Sequence, residues 1–323
     1  MISVIIPVFN ERDNLEALVG RLQPVLEAET GGAFEVIFVD DGSRDGSSET
    51  LDRLSGRDQH YKTVHFSRNF GHQAALQAGL DVAGGDAVVL MDADLQDPPE
   101  LLGELLAKWS KGYEVVYAIR RKRRESLWKR IAYAAFYRTL KMISDIDTPL
   151  DAGDFCLMDR RVVDALVALP ERNRFLRGLR SWVGFRQTGV EYERHARNAG
   201  EPKYTLRKLI SLALSGYIGF STFPLRVAAW LGMFAAVAGF ALGLWVIVSH
   251  FTEHNIPQGW ASTSSLILFV GGVQLIILGI MGEYLGRVYH EVRSRPLYVV
   301  RSRVGFSRSS PDEHSMTPTH AER

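Results

Sequence analysis

Residues 227–249, VAAWLGMFAAVAGFALGLWVIVS, and 261–282, ASTSSLILFVGGVQLIILGIMG, contain no charged side chain. A bilayer core takes a helix of about 20 apolar residues, so both runs are long enough to cross one. Neither shows the polar face that a helix packed on a soluble core usually keeps. The expected spans are 227–249 and 261–285. The connecting loop, 250–260 (HFTEHNIPQGW), has no Lys or Arg, whereas Arg207, Lys208 and Arg226 precede the first run and Arg287, Arg293 and Arg295 follow the second. That asymmetry predicts that both ends of the pair are cytoplasmic and that the loop is external. Gly271, Gly272 and Gly279 would permit close helix packing and a homo-oligomer through the membrane.

Everything upstream has a different character. The 323 residues carry a net charge of +1 and are 23% charged, but the charges concentrate outside the two runs. So even a balance gives no case for nucleic acid as a partner. The single cysteine, Cys156, has no internal disulfide partner, which points to a reducing compartment. The first residues, MISVIIPVFNE, enter a strand without the basic stretch of a secretory leader. Residues 1–203 are expected to form a cytoplasmic domain. Residues 204–226 read as helices lying in the membrane interface, with Leu206, Leu209, Ile210 and Leu214 at helical spacing. Residues 286–323 are expected to be a cytoplasmic tail, polar and disordered beyond about 303.

Within the first domain, apolar runs at 2–9, 34–40, 63–67, 86–92 and 113–119 alternate with helical patterns at 14–28, 47–57, 72–83 and 99–110. Strand–helix alternation with strands apolar on both faces predicts a mostly parallel sheet covered by helices on each side. Ligands of such sheets bind beyond the carboxyl ends of the strands. Those ends read Pro7-Val8-Phe9-Asn10-Glu11, Asp40-Asp41-Gly42-Ser43 and Asp92-Ala93-Asp94, all acidic. No glycine-rich phosphate loop is present. An acidic edge admits a phosphate only with a cation between them, and Mg²⁺ held by one or two carboxylates and completed by phosphates fits. If the strand runs on through Asp92 and Asp94, both face one ligand, with Gln96 following as an oxygen donor. Asp97, before PPE, is expected to cap a helix. His72 is expected to be an exposed helix residue.

The motifs VIIPVFNE (4–11), VDDGSRDGS (39–47), RNFGHQAALQAG (68–79) and DADLQDPPE (92–100) resemble those of family 2 glycosyltransferases. DAGDFCLMDR (151–160), RNAGEPKY (197–204) and GEYLGRVY (282–289) extend the likeness along the chain. The subgroup resembled is the polyprenyl-phosphate glycosyltransferases, and the bactoprenol glucosyltransferases within it, through LPERNRFLRGLRSWVGF (169–185) and GFSTFPLR (219–226).

The resemblance implies an α/β GT-A (Rossmann-like) fold followed by interfacial helices and two transmembrane helices in a bacterial inner membrane. It implies transfer of a hexose, glucose from UDP-glucose, onto undecaprenyl phosphate, with inversion and with Mg²⁺ or Mn²⁺. Pro7, Asn10, Glu11 and Asp41 would shape the nucleotide pocket, with Asp40 on the base. Asp92, Asp94 and Gln96 would hold metal and diphosphate. Asp154 would lie at the reacting centre, to position the acceptor or to take a proton. Arg194, Arg197 and Lys203 would contact phosphate, although Pro202 stands where relatives have Ser or Thr. The basic run holding Arg120, Arg121, Arg123 and Arg124 follows the next strand, and there arginine suits phosphate or anionic headgroups. Two other readings compete. A processive polysaccharide synthase would carry a Q-x-x-R-W motif, which RGLRSW (177–182) lacks. A tethered nucleotide-sugar scaffold would survive Asp94→Asn, and a transferase would not. Other donors, GDP-mannose, UDP-GlcNAc or a UDP-aminoarabinose derivative, would run the same reaction.

Overall fold

Four of the apolar runs lie side by side in parallel: β1 (Ile2–Val8), β2 (Phe34–Asp40), β3 (Tyr61–Phe66) and β4 (Ala87–Leu90). Nearly every residue in them is buried, because helices cover both faces of the sheet. The structure, a computed structural model, describes residues 1–120, 152–171, 174–192, 223–252 and 259–306. The connecting helices are α1 (Arg12–Thr30), α2 (Ser47–Arg57), α3 (His72–Val82) and α4 (Leu102–Trp109), the last entered through a short turn at Pro99–Leu101. Leu15, Leu18 and Leu22 of α1 meet Phe38 and Leu105 on one face of the sheet. On the other face Ala75 and Leu76 of α3 meet Ile37, Val64 and Leu90.

Beyond β4 the sheet becomes mixed while remaining mostly parallel. β5 (Val115–Arg120) is separated from β4 by β6 (Ala152–Asp159), which is antiparallel to both. α5 (Arg160–Ala168) and α6 (Leu176–Trp182) follow, and β7 (Gln187–Tyr192) adds to the outer edge of β5 in parallel. The order across the sheet is β7-β5-β6-β4-β1-β2-β3-β8.

The last of these strands lies within the expected tail, ending where the stretch expected to be disordered begins. β8 (Val300–Val304) pairs antiparallel with β3, setting Val304 against Thr63 and Arg303 against Val64. Just before it, Tyr298 stacks on Phe66 at 4.9 Å and donates from its hydroxyl to Asp81 Oδ2 at 2.6 Å. Val300 and Phe306 pack on the same core. VRSRV is polar because an edge strand keeps much of its surface in water. Residues 307–323 lie outside the described residues.

The two charge-free runs form α7 (Phe223–Thr252) and α8 (Trp260–Val292), which pack on each other. Both are longer than the expected spans, and α7 takes in residues 223–226, expected to belong to an interfacial helix. Residues 204–222 lie outside the described residues. Among the described residues, Phe269–Tyr289 is apolar and long enough to cross a membrane, with mean hydropathy 1.5 and none of it buried. Val227–Leu242 is a shorter apolar helix.

Candidate active site

The carboxyl ends of β1, β2, β3 and β4 share one edge of the sheet, as parallel strands must. β4 stops at Leu90, short of the acidic triplet. Asp92 and Asp94 therefore do not alternate along a strand, and the expectation that one strand face presents both is corrected. A turn does the work instead. Asp94 Oδ1 accepts from the backbone N–H of Gln96 at 3.2 Å, and Leu95 between them takes a left-handed φ of 58°. That conformation is costly for a side chain bearing a Cβ, and the burial of Leu95 holds it in place. Asp97 is structural, though not as a cap. Wholly buried, it accepts a short hydrogen bond from the hydroxyl of Tyr192 on β7.

β6 brings the next acid. Its ladder with β4 pairs Leu90 with Cys156 and Ala87 with Asp159. Extending that antiparallel register past Leu90 sets Asp154 opposite Asp92. Arg177 of α6 clamps Asp154 with both arms of its guanidinium, Nε to Oδ1 at 2.8 Å and Nη2 to Oδ2 at 3.0 Å. His72, the first residue of α3, sits over the pair, with Nε2 3.6 Å from Asp154 Oδ2 and 3.8 Å from Asp92 Oδ1.

These neighbours divide the two carboxyls. Burial pushes Asp92 up to about 6; the His72 charge opposes this, while Asp97, Asp154 and Asp94 add to it. Burial acts the same way on Asp154, but the nearby His72 and the hydrogen-bonded Arg177 outweigh it and hold that carboxyl far below the usual range. For His72, burial favours the neutral ring, but Asp154 and Asp92 prevail and raise it above its ordinary value.

A cavity of about 160 Å³ opens beside this cluster, lined by Pro7, Val8, Phe9, Asp41, Asn69, Gly71, His72 and Ala75. His72 belongs to both. Asp41 lines the cavity but is spoken for: its oxygens accept from the N–H groups of Phe70 (2.6 Å) and Gly71 (2.9 Å). Asn10 follows the lining residue Phe9 in the chain, at φ 56°, its side-chain oxygen accepting from the Arg44 N–H at 2.8 Å. Glu11 accepts from the Asn14 amide at 2.6 Å. Asp40, expected on the base, ends β2. It is wholly buried, and its oxygens accept from Ser43 N–H, Ser48 Oγ and His65 Nδ1.

The structure thus brings together Pro7, Asp41, Asp92, Asp94 and Asp154 around one edge. Arg120 ends β5, its backbone opposite Tyr192. Arg121, Arg123, Arg124, Arg194, Arg197 and Lys203 lie outside the described residues. His72 and Arg177 went unrecognised as site residues. His72 carries a signal, since it opens the helix after a parallel strand, where ligands gather. Arg177 carries none, because only the fold of β6 and α6 brings it to Asp154.

Among the described residues no group of three or more His, Cys, Asp or Glu side chains makes a ready metal cage. The donors fit a different kind of site. Carboxylates gathered at one strand edge, Asp92 and Asp94 with Asp154 opposite, suit a hard divalent cation that takes its remaining oxygens from a ligand.

Comparison with known proteins agrees along the whole chain. Residues 3–167 match Glycosyl transferase family 2, and residues 223–288 match the GtrB C-terminal hairpin. The uncharacterized glycosyltransferase YkcC of Bacillus subtilis is 46% identical, covering 97% of this chain and 97% of its own. The SfII prophage-derived bactoprenol glucosyl transferase of Shigella flexneri is 42% identical, covering 93% of this chain and 97% of its own. Glucosyl-3-phosphoglycerate synthase of Mycobacterium tuberculosis, a solved structure, aligns over 68% of this chain and 77% of its own at 21% identity and a TM-score of 0.45. The sheet, its acidic edge and the two sequence matches lead to one conclusion: the chain belongs to glycosyl transferase family 2, and the protein is a glycosyltransferase.

Proposed function

We propose that the protein transfers a hexose, glucose from UDP-glucose, to undecaprenyl phosphate, inverting the anomeric carbon. The observation that carries this reading is the meeting of Asp92, Asp154 and Arg177 around His72, which also lines the cavity. A donor diphosphate needs an acid that can bind a cation, and an acceptor phosphate needs a neighbour whose negative charge is cancelled; Asp92 and the Asp154–Arg177 pair suit these two needs. The bactoprenol glucosyl transferases alike over most of the chain support the lipid acceptor and the sugar.

The acceptor is a phosphate monoester, already anionic at neutral pH, so its oxygen attacks the anomeric carbon without a general base. The bond from that carbon to the diphosphate breaks, and the nucleoside diphosphate leaves with the electron pair. Mg²⁺ or Mn²⁺ on Asp92 and Asp94, with Gln96, would neutralise charge on the diphosphate as a Lewis acid. Pro7, Asn10, Glu11 and Asp41 wall the nucleotide pocket. Arg120, Arg121, Arg123, Arg194, Arg197 and Lys203 supply cations to the phosphates.

The acceptor's lipid tail fits a two-helix membrane anchor built of α7 and α8. Trp230 and Phe240 are 74% and 76% exposed, apolar surface that water would not tolerate over so long a helix pair. The return of β8 to the catalytic sheet supports placing both ends of the hairpin on one face, the cytoplasmic one, of a bacterial inner membrane. On α8, an added Cβ at Gly271, Gly272 or Gly279 would meet nothing within 4 Å, which leaves room for a second copy. Residues 1–203 form the catalytic domain on this reading, joined by β8 from beyond the hairpin.

The test uses the purified chain in detergent with undecaprenyl phosphate and radiolabelled UDP-glucose. Labelled lipid that forms with Mg²⁺ or Mn²⁺ and stops with EDTA supports the reading. If no labelled lipid forms while other nucleotide sugars do donate, the sugar is wrong; silence with every donor would overturn the reaction.

A further inference from the structure

Asp154 poses a problem for the reaction proposed above. It stands opposite Asp92 at the edge where two anionic phosphates must approach each other, and a free carboxylate there would repel both. The structure shows how this is met. Arg177 reaches across from α6 and engages both Asp154 oxygens with a planar fork, at 2.8 and 3.0 Å. The fork geometry fixes the carboxylate plane as well as cancelling its charge, which a lysine would not do. The Asp154 side chain is 19% exposed and Arg177 34%, so the pair sits at the wall of the site with one side toward it. His72 lies on that side, 3.6 Å from Asp154 Oδ2, and also lines the cavity.

We propose that Arg177 is a positioning residue that neutralises Asp154, so that the pair forms an uncharged, rigid rest for His72 and lets the acceptor phosphate reach the donor. The inference rests on the reading of the reaction given above and goes further, assigning the acceptor side of the site to the Asp154–Arg177 pair. Asp154 is then an anchor for two cations, and the substrate phosphate needs no proton removed by it.

The pair makes opposite predictions for its two members. Arg177→Met leaves a bare carboxylate and should raise the KM for undecaprenyl phosphate about tenfold or more, with the KM for UDP-glucose changed by less than about twofold. Asp154→Asn leaves a bare guanidinium and should lower the KM for the lipid phosphate, keeping about a tenth or more of kcat. The double variant, Asp154→Asn with Arg177→Met, removes both charges and should recover at least about half of the loss in lipid KM on a logarithmic scale. Purely structural damage would move both KM values together and would not be rescued by a second lesion.

A double variant no better than Arg177→Met overturns the proposal. So does an Asp154→Asn enzyme that still binds UDP-glucose but does not turn over, since Asp154 would then act in the chemistry. Should Arg177→Met fail to fold, Arg177→Lys takes its place. A lysine keeps the charge and loses the fork, so the lipid KM should rise by clearly less than is expected for Arg177→Met, and a rise as large overturns the proposal. Failure of the wild-type chain to glycosylate undecaprenyl phosphate from any donor would overturn the parent reading and this one together. Normal wild-type turnover without rescue in the double variant overturns this one alone.

Discussion

At Asp40 burial and charge pull in opposite directions. Burial alone would raise this carboxyl, but the hydrogen bonds from His65, Ser48 and Ser43 win and bring it down to about 2. His65 lies between Asp40 and Asp52, 2.9 Å from each, and the same contacts raise it above its ordinary 6.5 against the effect of burial. The signs then follow. Asp40 contributes stability in full above its unfolded value near 3.8, and the contribution is lost as pH falls through about 2. His65 contributes in full below 6.5, and its contribution is lost as pH rises through the raised folded value. Thermal unfolding across pH should show a decline on the alkaline side that His65→Gln, which carries no charge, flattens. At the catalytic edge, Asp94→Asn should cut turnover by about a hundredfold or more while leaving the thermal midpoint near that of the wild type. The acids of this edge were legible in the sequence because parallel strands deliver their carboxyl ends to one place. Arg177 was not, because its meeting with Asp154 depends on an antiparallel strand and a short helix that no local pattern announces.

The elements were legible in the same uneven way. β1 to β4 and the helices between them declare themselves, since strands covered on both faces run apolar and helices packed on one side repeat at helical spacing. β6 was missed because AGDFCLMD mixes an acid and a glycine into a buried strand. β7 and β8 were missed because edge strands carry polar residues outward. One close contact shows how tightly the legible part packs. A Cβ on Gly79 of α3 would lie 2.2 Å from Ile5 Cγ2 on β1. Gly79→Ala should lower stability by about 1–3 kcal/mol, and combining it with Ile5→Ala, which removes the Cγ2 in the way, should cost less in thermal unfolding than the two single changes summed. β8 makes a second prediction. Tyr298→Ala removes both the stack on Phe66 and the hydrogen bond to Asp81, and should cost about 2 kcal/mol of stability. Phe66 also meets Phe70 edge-on at 5.6 Å, and the Phe70 N–H binds Asp41 at the cavity, so the same change should raise the KM for the nucleotide sugar.

At the scale of the whole molecule, the catalytic sheet and the helix hairpin are interleaved in sequence, with β8 on the far side of α8. In sealed right-side-out vesicles, protease added outside should leave residues 1–203 intact, and cleavage there would refute the proposed orientation. The same interleaving bears on how the chain is made. During synthesis the outer edge of β3 stays open until both apolar helices have been translated, because the strand that covers it comes last. An open edge invites pairing with another chain. Only a hairpin that has turned back to the side it started from can deliver residues 300–304 to that edge. If the hairpin spans a membrane as proposed, completion of the sheet is a check on insertion: a chain that leaves its two ends on opposite sides cannot close its own fold, and its β3 edge stays uncovered.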